Sequence, residues 1–241
     1  MSTKGEIVSL HKVVKNYGEG KIITKALRGI SIKILEGDFS VMMGPSGCGK
    51  STLLNIIGGL DRATSGDVKF NDQDFNTLSN KALSMIRRQH IGFVFQNYNL
   101  LPVLNAYENA EYVLMLQGVA PVKRREKVMH LFKEMGLDGL ENRYPRELSG
   151  GQQQRVAIAR AVATEPQLVL ADEITANVDS ETAQSLLELM TALNKNNSTT
   201  FLFSTHDPAV IKFAKKIIIL KDGMIHSEKA SIEETEQFAH R

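Results

Sequence analysis

The chain has 241 residues, of which 42% are hydrophobic, and it carries 29 basic against 27 acidic side chains. This length suffices for one large α/β domain, and the near balance of charge excludes a global basic field for nucleic acid. The single cysteine excludes an intramolecular disulfide. No apolar run approaches the roughly 20 residues of a membrane span, and the N-terminus lacks the apolar segment of a signal peptide. We therefore expect a cytoplasmic protein, with any membrane span supplied by another chain.

Periodicity predicts an alternation of strands and helices along the chain. Two extended strands are expected at 6–17 and 22–35, and a buried strand at 38–43. Further strands are expected at 68–70, 91–96, 167–171, 199–203 and 216–220. Helices are expected at 52–57, 78–89, 152–163 and 180–194, from Pro208 onward, and in a frayed form at 233–241. Asp222-Gly223 predicts a hairpin turn.

A change of pattern in the middle of the chain indicates a helical insert. From Leu104 to about Arg146 the apolar side chains recur at helical spacing, such as Val128, Leu131 and Phe132, and no strand candidate there is of comparable strength. We therefore expect one domain over the whole chain, with its core at 1–97 and 148–228, the insert at about 98–147 and a tail at 229–241.

A phosphate-binding loop is predicted at Gly44-Pro45-Ser46-Gly47-Cys48-Gly49-Lys50-Ser51-Thr52. The stretch fits G-x-x-x-x-G-K-[ST] between a predicted strand and a predicted helix, which is the context that the motif needs. Its backbone N–H groups and the helix N-terminus attract phosphate. Lys50 can reach the β- and γ-phosphates, and the Ser51 hydroxyl can ligate Mg²⁺. The flanking elements disfavour a chance glycine-rich turn, so the sequence predicts binding of a nucleoside triphosphate.

Two acidic residues follow another apolar strand. The run at 168–171 ends in Asp172-Glu173, which is typical of a Walker B strand. Its aspartate completes the Mg²⁺ shell, and a second carboxylate is well placed to polarise the water that attacks the γ-phosphate. Two surface acids at a strand end are the plain alternative, which the upstream phosphate-binding loop disfavours.

A second anion-binding loop is predicted at Leu148-Ser149-Gly150-Gly151-Gln152. Two glycines allow close backbone approach, the serine supplies a hydroxyl, and a helix N-terminus follows. The chain therefore holds two phosphate-binding helix starts, which need not serve the same nucleotide.

The order of these motifs resembles the ATPase subunit of ABC transporters over residues 6–228. Residues 93–102 and 170–173 look most like the branch of lipoprotein-release, macrolide-export and antimicrobial-peptide-export ATPases. The resemblance implies an α/β fold: a P-loop NTPase core with a mainly parallel sheet, an N-terminal antiparallel β subdomain and a helical insert. It also implies ATP and Mg²⁺ as cofactors.

The resemblance assigns four further residues. Tyr17 falls where the family carries an aromatic that stacks on adenine, and Gln96 at the glutamine that contacts Mg²⁺ and the attacking water. His206 falls at the histidine that contacts the γ-phosphate, and Asp179 at the aspartate between monomers. Plainer alternatives stay open, namely Tyr17 as a hairpin cap, Gln96 as a solvated strand end and His206 as the neighbour of a helix cap. The other histidines lack metal-ligand spacing.

The resemblance implies a homodimer in which ATP lies between the phosphate-binding loop of one copy and Ser149, Gly150, Gly151 and Gln152 of the other. Catalysis would be positioning and charge stabilisation, with Lys50 and His206 on the phosphates and Glu173 on the water. The metal ligands would be Ser51, Gln96 and Asp172.

The resemblance also implies a membrane partner, because such subunits pass their motion to a permease. That subunit would dock near Gln96 and the insert, and the chain would be peripheral on the cytoplasmic face of the inner membrane. Export or extraction of a substrate from the membrane is favoured by the branch. No nucleic acid partner is expected.

Two positions depart from the pattern of the branch, and a third carries a thiol. Ile174 stands where the branch usually has proline, which fixes φ, so we expect a looser loop around Glu173 and a modest change in hydrolysis rate. Val178 stands where leucine is usual. Cys48 lies in the phosphate-binding loop, where alkylation of its thiol is expected to block nucleotide.

Three other functions are alternatives to an ATPase subunit of a transporter. A close variant moves a membrane partner without transport, as cell-division ATPases of this branch are thought to do. A soluble ABC ATPase acting on DNA or ribosomes usually carries a coiled-coil insertion or two cassettes, and neither is visible. A P-loop kinase predicts neither the 148–152 motif nor a glutamate after Asp172.

Overall fold

The computed structural model describes residues 5–18, 22–176 and 178–229. Two compact units make up the chain, unit 1 with Met1–Met85 and Thr200–Arg241, and unit 2 with Ile86–Thr199. The frayed helix predicted at 233–241, and all of the predicted tail except Lys229, lie outside the described residues.

The strands and helices follow one another closely. In chain order they are β1 (Glu6–Tyr17), β2 (Thr24–Leu35), β3 (Phe39–Met43), α1 (Lys50–Ile57), β4 (Ser65–Phe70), β5 (Gln73–Asp74), α2 (Asn80–His90), β6 (Ile91–Val94), α3 (Ala106–Leu116), α4 (Pro121–Glu134), α5 (Gly150–Val162), β7 (Leu168–Asp172), α6 (Ser180–Asn197), β8 (Thr200–Ser204), α7 (Pro208–Ile211), β9 (Lys216–Lys221) and β10 (Met224–Lys229).

Unit 1 contains an antiparallel sheet in the order β2-β1-β4-β5. Alternation buries Ile30, Ile32 and Ile34 on one face of β2, as the sequence predicted. β4 begins at Ser65, three residues before its predicted start, because Ser65 pairs with Val14 of β1 through the backbone alone. The first residues of β4 are polar or small and show no hydrophobic alternation. The two-residue β5 shows none either, and it was therefore not predicted from the sequence.

Unit 1 also contains parallel strands. β3 lies between β8 and β9 and is parallel to both, while β10 pairs antiparallel with β9. β3 is buried along most of its length, and Phe39 packs on Phe203 of β8 with ring centroids 4.6 Å apart. Because parallel strands share an edge at their carboxyl ends, the segments that follow β3 and β8 emerge at the same edge of the sheet.

Unit 2 combines the parallel pair β6 and β7 with helices. α5 packs against β6 and α3, and α4 packs against α3 and α5. Residues 98–147 hold α3, α4 and a 3₁₀ turn at Pro145–Glu147. The antiparallel sheet of unit 1, the parallel strands and these helices confirm the predicted α/β fold class. None of the helices in the described ranges has the length and apolar character that crossing a membrane requires.

Candidate functional site

The phosphate-binding loop connects β3 to α1 in unit 1. Gly49, with φ of 106°, is the N-cap residue of α1, and no side chain caps this helix start. Its first N–H groups therefore face the loop as donors for an anion. The Lys50 ammonium donates to the carbonyl oxygen of Gly44 at 2.7 Å and to that of Pro45 at 3.3 Å. The cation is thereby held over the loop where phosphates are expected.

The phosphate-binding loop packs against the hairpin of β9 and β10, and the sequence patterns did not predict this contact. A Cβ atom at Gly44 would meet the carbonyl oxygen of Leu220 in β9 and would lie 2.7 Å from the Cys48 sulfur. The Gly223 N–H donates to the Cys48 carbonyl at 3.0 Å from the turn between β9 and β10. Cys48 is only 4% exposed, so its thiol is shielded from reagents in this conformation, and the expected block of nucleotide binding by alkylation stays a prediction.

His206 follows β8 and so emerges at the same edge as the phosphate-binding loop. The Thr205 N–H donates to the Met42 carbonyl of β3 at 3.1 Å, which aligns the two strand ends. The helix cap beside it is Asp207, whose carboxylate accepts from the Ala209 N–H at 2.8 Å. The His206 side chain is exposed. This position is compatible with a contact to a γ-phosphate bound at the loop.

Tyr17 ends β1 and is 41% exposed. Its phenol O–H donates to an Asp61 oxygen at 2.7 Å, and Thr52 of the phosphate-binding loop lies within hydrogen-bonding reach of the phenol oxygen. Burial, followed by the Asp61 contact, raises the pKa of Tyr17. The hydroxyl therefore stays protonated at neutral pH, and an exposed aromatic ring lies beside the loop.

The carboxyl ends of β6 and β7 bring three predicted residues to one edge in unit 2. Val94 pairs with Ala171, so Gln96 and Asp172-Glu173 follow neighbouring strand ends. One Asp172 carboxylate oxygen is buried and has no hydrogen-bond partner. A buried anionic oxygen is stable only when something satisfies it, and a divalent cation or its water would do so.

The described residues contain no group of three or more His, Cys, Asp or Glu side chains that could hold a metal ion. Magnesium prefers octahedral oxygen coordination and usually binds through one or two carboxylates together with phosphates and water. Asp172 therefore fits a Mg²⁺ ion that takes most of its ligands from a bound triphosphate.

The backbone around Glu173 is strained. Its φ of 49° is uncommon for a residue with a side chain, and such strain clusters at functional sites. Ile174, the residue in place of the usual proline, is 3% exposed. Its buried side chain packs in the interior and thereby anchors the segment after Glu173, whereas the expected change in hydrolysis rate stays a prediction.

The second predicted anion-binding loop begins α5. The Ser149 hydroxyl accepts from the Gln152 N–H at 3.3 Å, and the Gln152 side chain accepts from the Ser149 N–H at 2.9 Å. This reciprocal capping box fixes the loop shape. The cap uses the Ser149 oxygen as an acceptor, so its O–H remains a possible donor to an anion.

Asp179 is connected to this second loop through Thr182. Its carboxylate accepts from both the N–H and the hydroxyl of Thr182, at 2.9 and 2.8 Å. These bonds lower the pKa of Asp179, and the bond from the Thr182 N–H has the larger effect. The Thr182 methyl group would lie 2.9 Å from a Cβ atom at Gly151, so a larger residue there would force the Thr182 side chain to move. The structure thus brings together the second anion-binding loop and the Asp179 helix cap, which are far apart in the sequence.

Arg160 is a residue that the sequence analysis missed. Tyr98 and Asn99, two and three positions beyond Gln96, both have left-handed backbones, with φ of 59° and 48°. The Arg160 guanidinium on α5 donates to their carbonyl oxygens at 2.8 and 2.6 Å. Burial lowers the pKa of Arg160. Charge-assisted bonds of this kind offset the backbone strain and hold the loop after Gln96 to the helix that begins at Gly150.

We expect Arg160→Gln to lower the free energy of unfolding by about 2 kcal/mol, because hydrogen bonds to a charged group are lost. Amide hydrogen exchange should accelerate at residues 97–101. Denaturant unfolding and exchange measured by mass spectrometry check both results. Arg143→Gln, at an exposed arginine of the same unit, is the matched control and should change neither. Equal behaviour of the two variants would show that Arg160 does not hold this loop.

These features define a class of protein: a P-loop nucleotide-binding protein that carries a second, glycine-rich anion-binding helix start. Comparison with known proteins gives the family. The profile described as ABC transporter matches residues 27–176. The chain is 43% identical to the ABC transporter ATP-binding protein MJ0796 of Methanocaldococcus jannaschii, covering 92% of this chain and 97% of that protein. The chain belongs to the ABC transporter family and is an ATP-binding cassette.

Further comparisons agree with this family. A dimeric structure of MJ0796 in a post-hydrolysis state, bound to ADP and Pi, superposes with a TM-score of 0.88 over 92% of this chain and 98% of that one. The macrolide export ATP-binding/permease protein MacB of Marinobacter nauticus is 41% identical over 98% of this chain. The chain spans 37% of the length of that MacB protein. The predicted family and branch are thereby confirmed.

Proposed function

We propose that this chain is the ATP-hydrolysing motor subunit of an ABC transporter and works with a separate membrane subunit in export or extraction. The observation that carries the proposal is the presence of two anion-binding helix starts in one chain, at Gly49-Lys50 and at Ser149-Gly150. A kinase or a simple nucleotide-binding switch needs only the first of them.

The proposed chemistry is attack of water on the γ-phosphate of ATP. Lys50 neutralises charge on the phosphates, Glu173 polarises the water, and His206 contacts the γ-phosphate. Bound Mg²⁺ supplies charge neutralisation at the phosphates. The residues that hold the ion in this proposal are Ser51, Gln96 and Asp172. The backbone of the loop from Gly44 to Thr52 cradles the phosphates, and Tyr17 stacks on adenine.

The proposed assembly is a homodimer with two composite sites. Support comes from the dimeric state of MJ0796 in its ADP and Pi complex and from the contact of the second loop with the Asp179 cap. Ser149, Gly150, Gly151 and Gln152 of one copy would close over the nucleotide of the other, with Asp179 at the boundary. Hydrolysis removes the shared γ-phosphate and releases the closed state.

The proposed membrane partner docks by the loop after Gln96 and the helices of 98–147. Leu101 and Val103 in this loop are 39% and 79% exposed, and exposed apolar side chains favour a binding role when they cluster. Buried Asn109 holds the loop from below, because its amide donates to the Leu101 and Leu104 carbonyls. The relative MacB is named as an ATP-binding/permease protein, which joins an ATP-binding part to a permease. The chain would then lie on the cytoplasmic face of the inner membrane.

Purification from detergent-solubilised membranes tests this assignment. We expect an affinity-tagged chain to bring down an integral membrane protein, and a Leu101→Asp/Val103→Asp variant to lose it while retaining ATP hydrolysis. Lys195→Asp, at an exposed lysine of helix α6 and outside residues 98–147, is the control and should retain the partner. Recovery with ribosomes or nucleic acid instead would contradict the transporter assignment. Transport by the reconstituted complex separates it from the cell-division type of motor.

A further inference from the structure

The exposed ring of Tyr17 is fixed on several sides. Asp61, 44 positions further along the chain, accepts the phenol hydrogen at 2.7 Å. The same carboxylate accepts from the Lys15 ammonium at 2.7 Å and from the Arg62 N–H at 2.7 Å. The acceptor itself is therefore anchored, and the Tyr17 side chain cannot swing to another χ1 rotamer without losing a hydrogen bond to a charged group.

Lys15 contacts the ring as well as Asp61. Its ammonium nitrogen lies over the ring, 4.7 Å from the centroid, which is within the range of a cation–π interaction. A further bond runs from this nitrogen to the Arg62 carbonyl at 2.9 Å. One face of the ring is thus covered by a cation held in place by two other contacts. The remaining exposure of Tyr17, 41%, leaves room for a flat ligand on the opposite face.

The position of the ring relates this cluster to the phosphates. Thr52, the last residue of the phosphate-binding loop, lies within hydrogen-bonding reach of the phenol oxygen. The Asp61 carboxylate stays ionised because its bonds with Lys15, Tyr17 and Arg62 outweigh its burial and lower its pKa. A charged acceptor thus holds the phenol oxygen at the end of the ring that is near Thr52, which places the exposed ring beside the phosphate-binding loop.

We propose that Asp61 and Lys15 are positioning residues for the base of the nucleotide: Asp61 fixes the Tyr17 ring, and Lys15 covers one face so that a purine stacks on the other. A ring held in its binding orientation has less conformational freedom to lose when the base arrives. This inference rests on the proposed binding of ATP and on the proposed stacking role of Tyr17.

The test compares ligands with and without a base. Isothermal titration calorimetry measures the Kd of MgATP and of magnesium tripolyphosphate, since only the former can reach Tyr17. We expect Asp61→Ala to raise the Kd of ATP roughly three- to tenfold and to leave that of tripolyphosphate unchanged. Tyr17→Phe should act in the same direction, and the double variant should bind no worse than Asp61→Ala alone, because both changes break one contact.

Two further variants keep the result interpretable. Asp67→Ala, at an exposed aspartate of β4, is the matched control and should leave both constants unchanged. Asp61→Asn keeps the side-chain volume and an oxygen that accepts from Tyr17, so we expect a smaller rise in the Kd of ATP. It replaces Asp61→Ala if thermal melting shows that the alanine variant does not fold.

The outcomes distinguish the positioning role of Asp61 from the two proposals on which it rests, namely ATP binding and base stacking by Tyr17. Equal changes for ATP and tripolyphosphate, or no change for either, would overturn the positioning role of Asp61. If Tyr17→Leu leaves the ratio of the two constants unchanged, the ring does not bind the base and the inference fails with it. If the parent chain binds neither ligand, the proposed ATPase function itself is wrong.

Discussion

Glu173→Gln is expected to abolish ATP hydrolysis while preserving ATP binding. The amide keeps the size of the side chain, but it no longer polarises the attacking water, and loss of such a base costs about 10²- to 10⁴-fold in rate. The γ-phosphate then persists, so the variant should accumulate as a dimer in MgATP. Phosphate release measures the first effect, and size-exclusion chromatography with and without MgATP measures the second.

Glu181→Gln provides the matched control, since Glu181 is an exposed acid in the first turn of α6. It should hydrolyse ATP at the parental rate and should not accumulate as a dimer. A Glu173→Gln chain that stays monomeric at saturating ATP and hydrolyses it at the parental rate would contradict the roles proposed for Glu173 and for the second anion-binding loop.

Mixing two inactive variants is expected to restore activity. Lys50→Met removes the cation over the phosphate-binding loop, and Ser149→Arg places a bulky charge on the exposed residue that begins the second loop. A mixed dimer contains one site with both changes and one site with neither. Random pairing makes half of the dimers mixed, so the mixture should regain about a quarter of the parental activity.

Each variant alone sets the baseline for this mixture. Both must first show parental melting behaviour, because loss of the Ser149 cap costs about 1 kcal/mol by itself. The Lys50→Met chain alone, at the total protein concentration of the mixture, is the further control. Activity of the mixture no greater than the average of its components would show that the two loops do not form a site across two copies.

Local sequence determined much of this protein. The phosphate-binding loop depends on glycines and a helix start within nine positions, and the capping box of Ser149 and Gln152 is closed by bonds between residues three apart. Alternation in β2 and the apolar run of β3 follow from the two-residue period of a strand. Such features are predictable because each one is made by neighbours in the chain.

Only the tertiary structure decided how those motifs are supported. Asp61 reaches Tyr17 across 44 positions, and Arg160 reaches Asn99 across 61. Gly223 lies behind Cys48, and Thr182 lies against Gly151. No periodicity or short motif encodes these pairs, because each contact arises only after strands and helices have packed. The chemistry of the two loops is therefore readable from the sequence, whereas the residues that hold Tyr17, the phosphate-binding loop and the segment after Gln96 in place follow from packing alone.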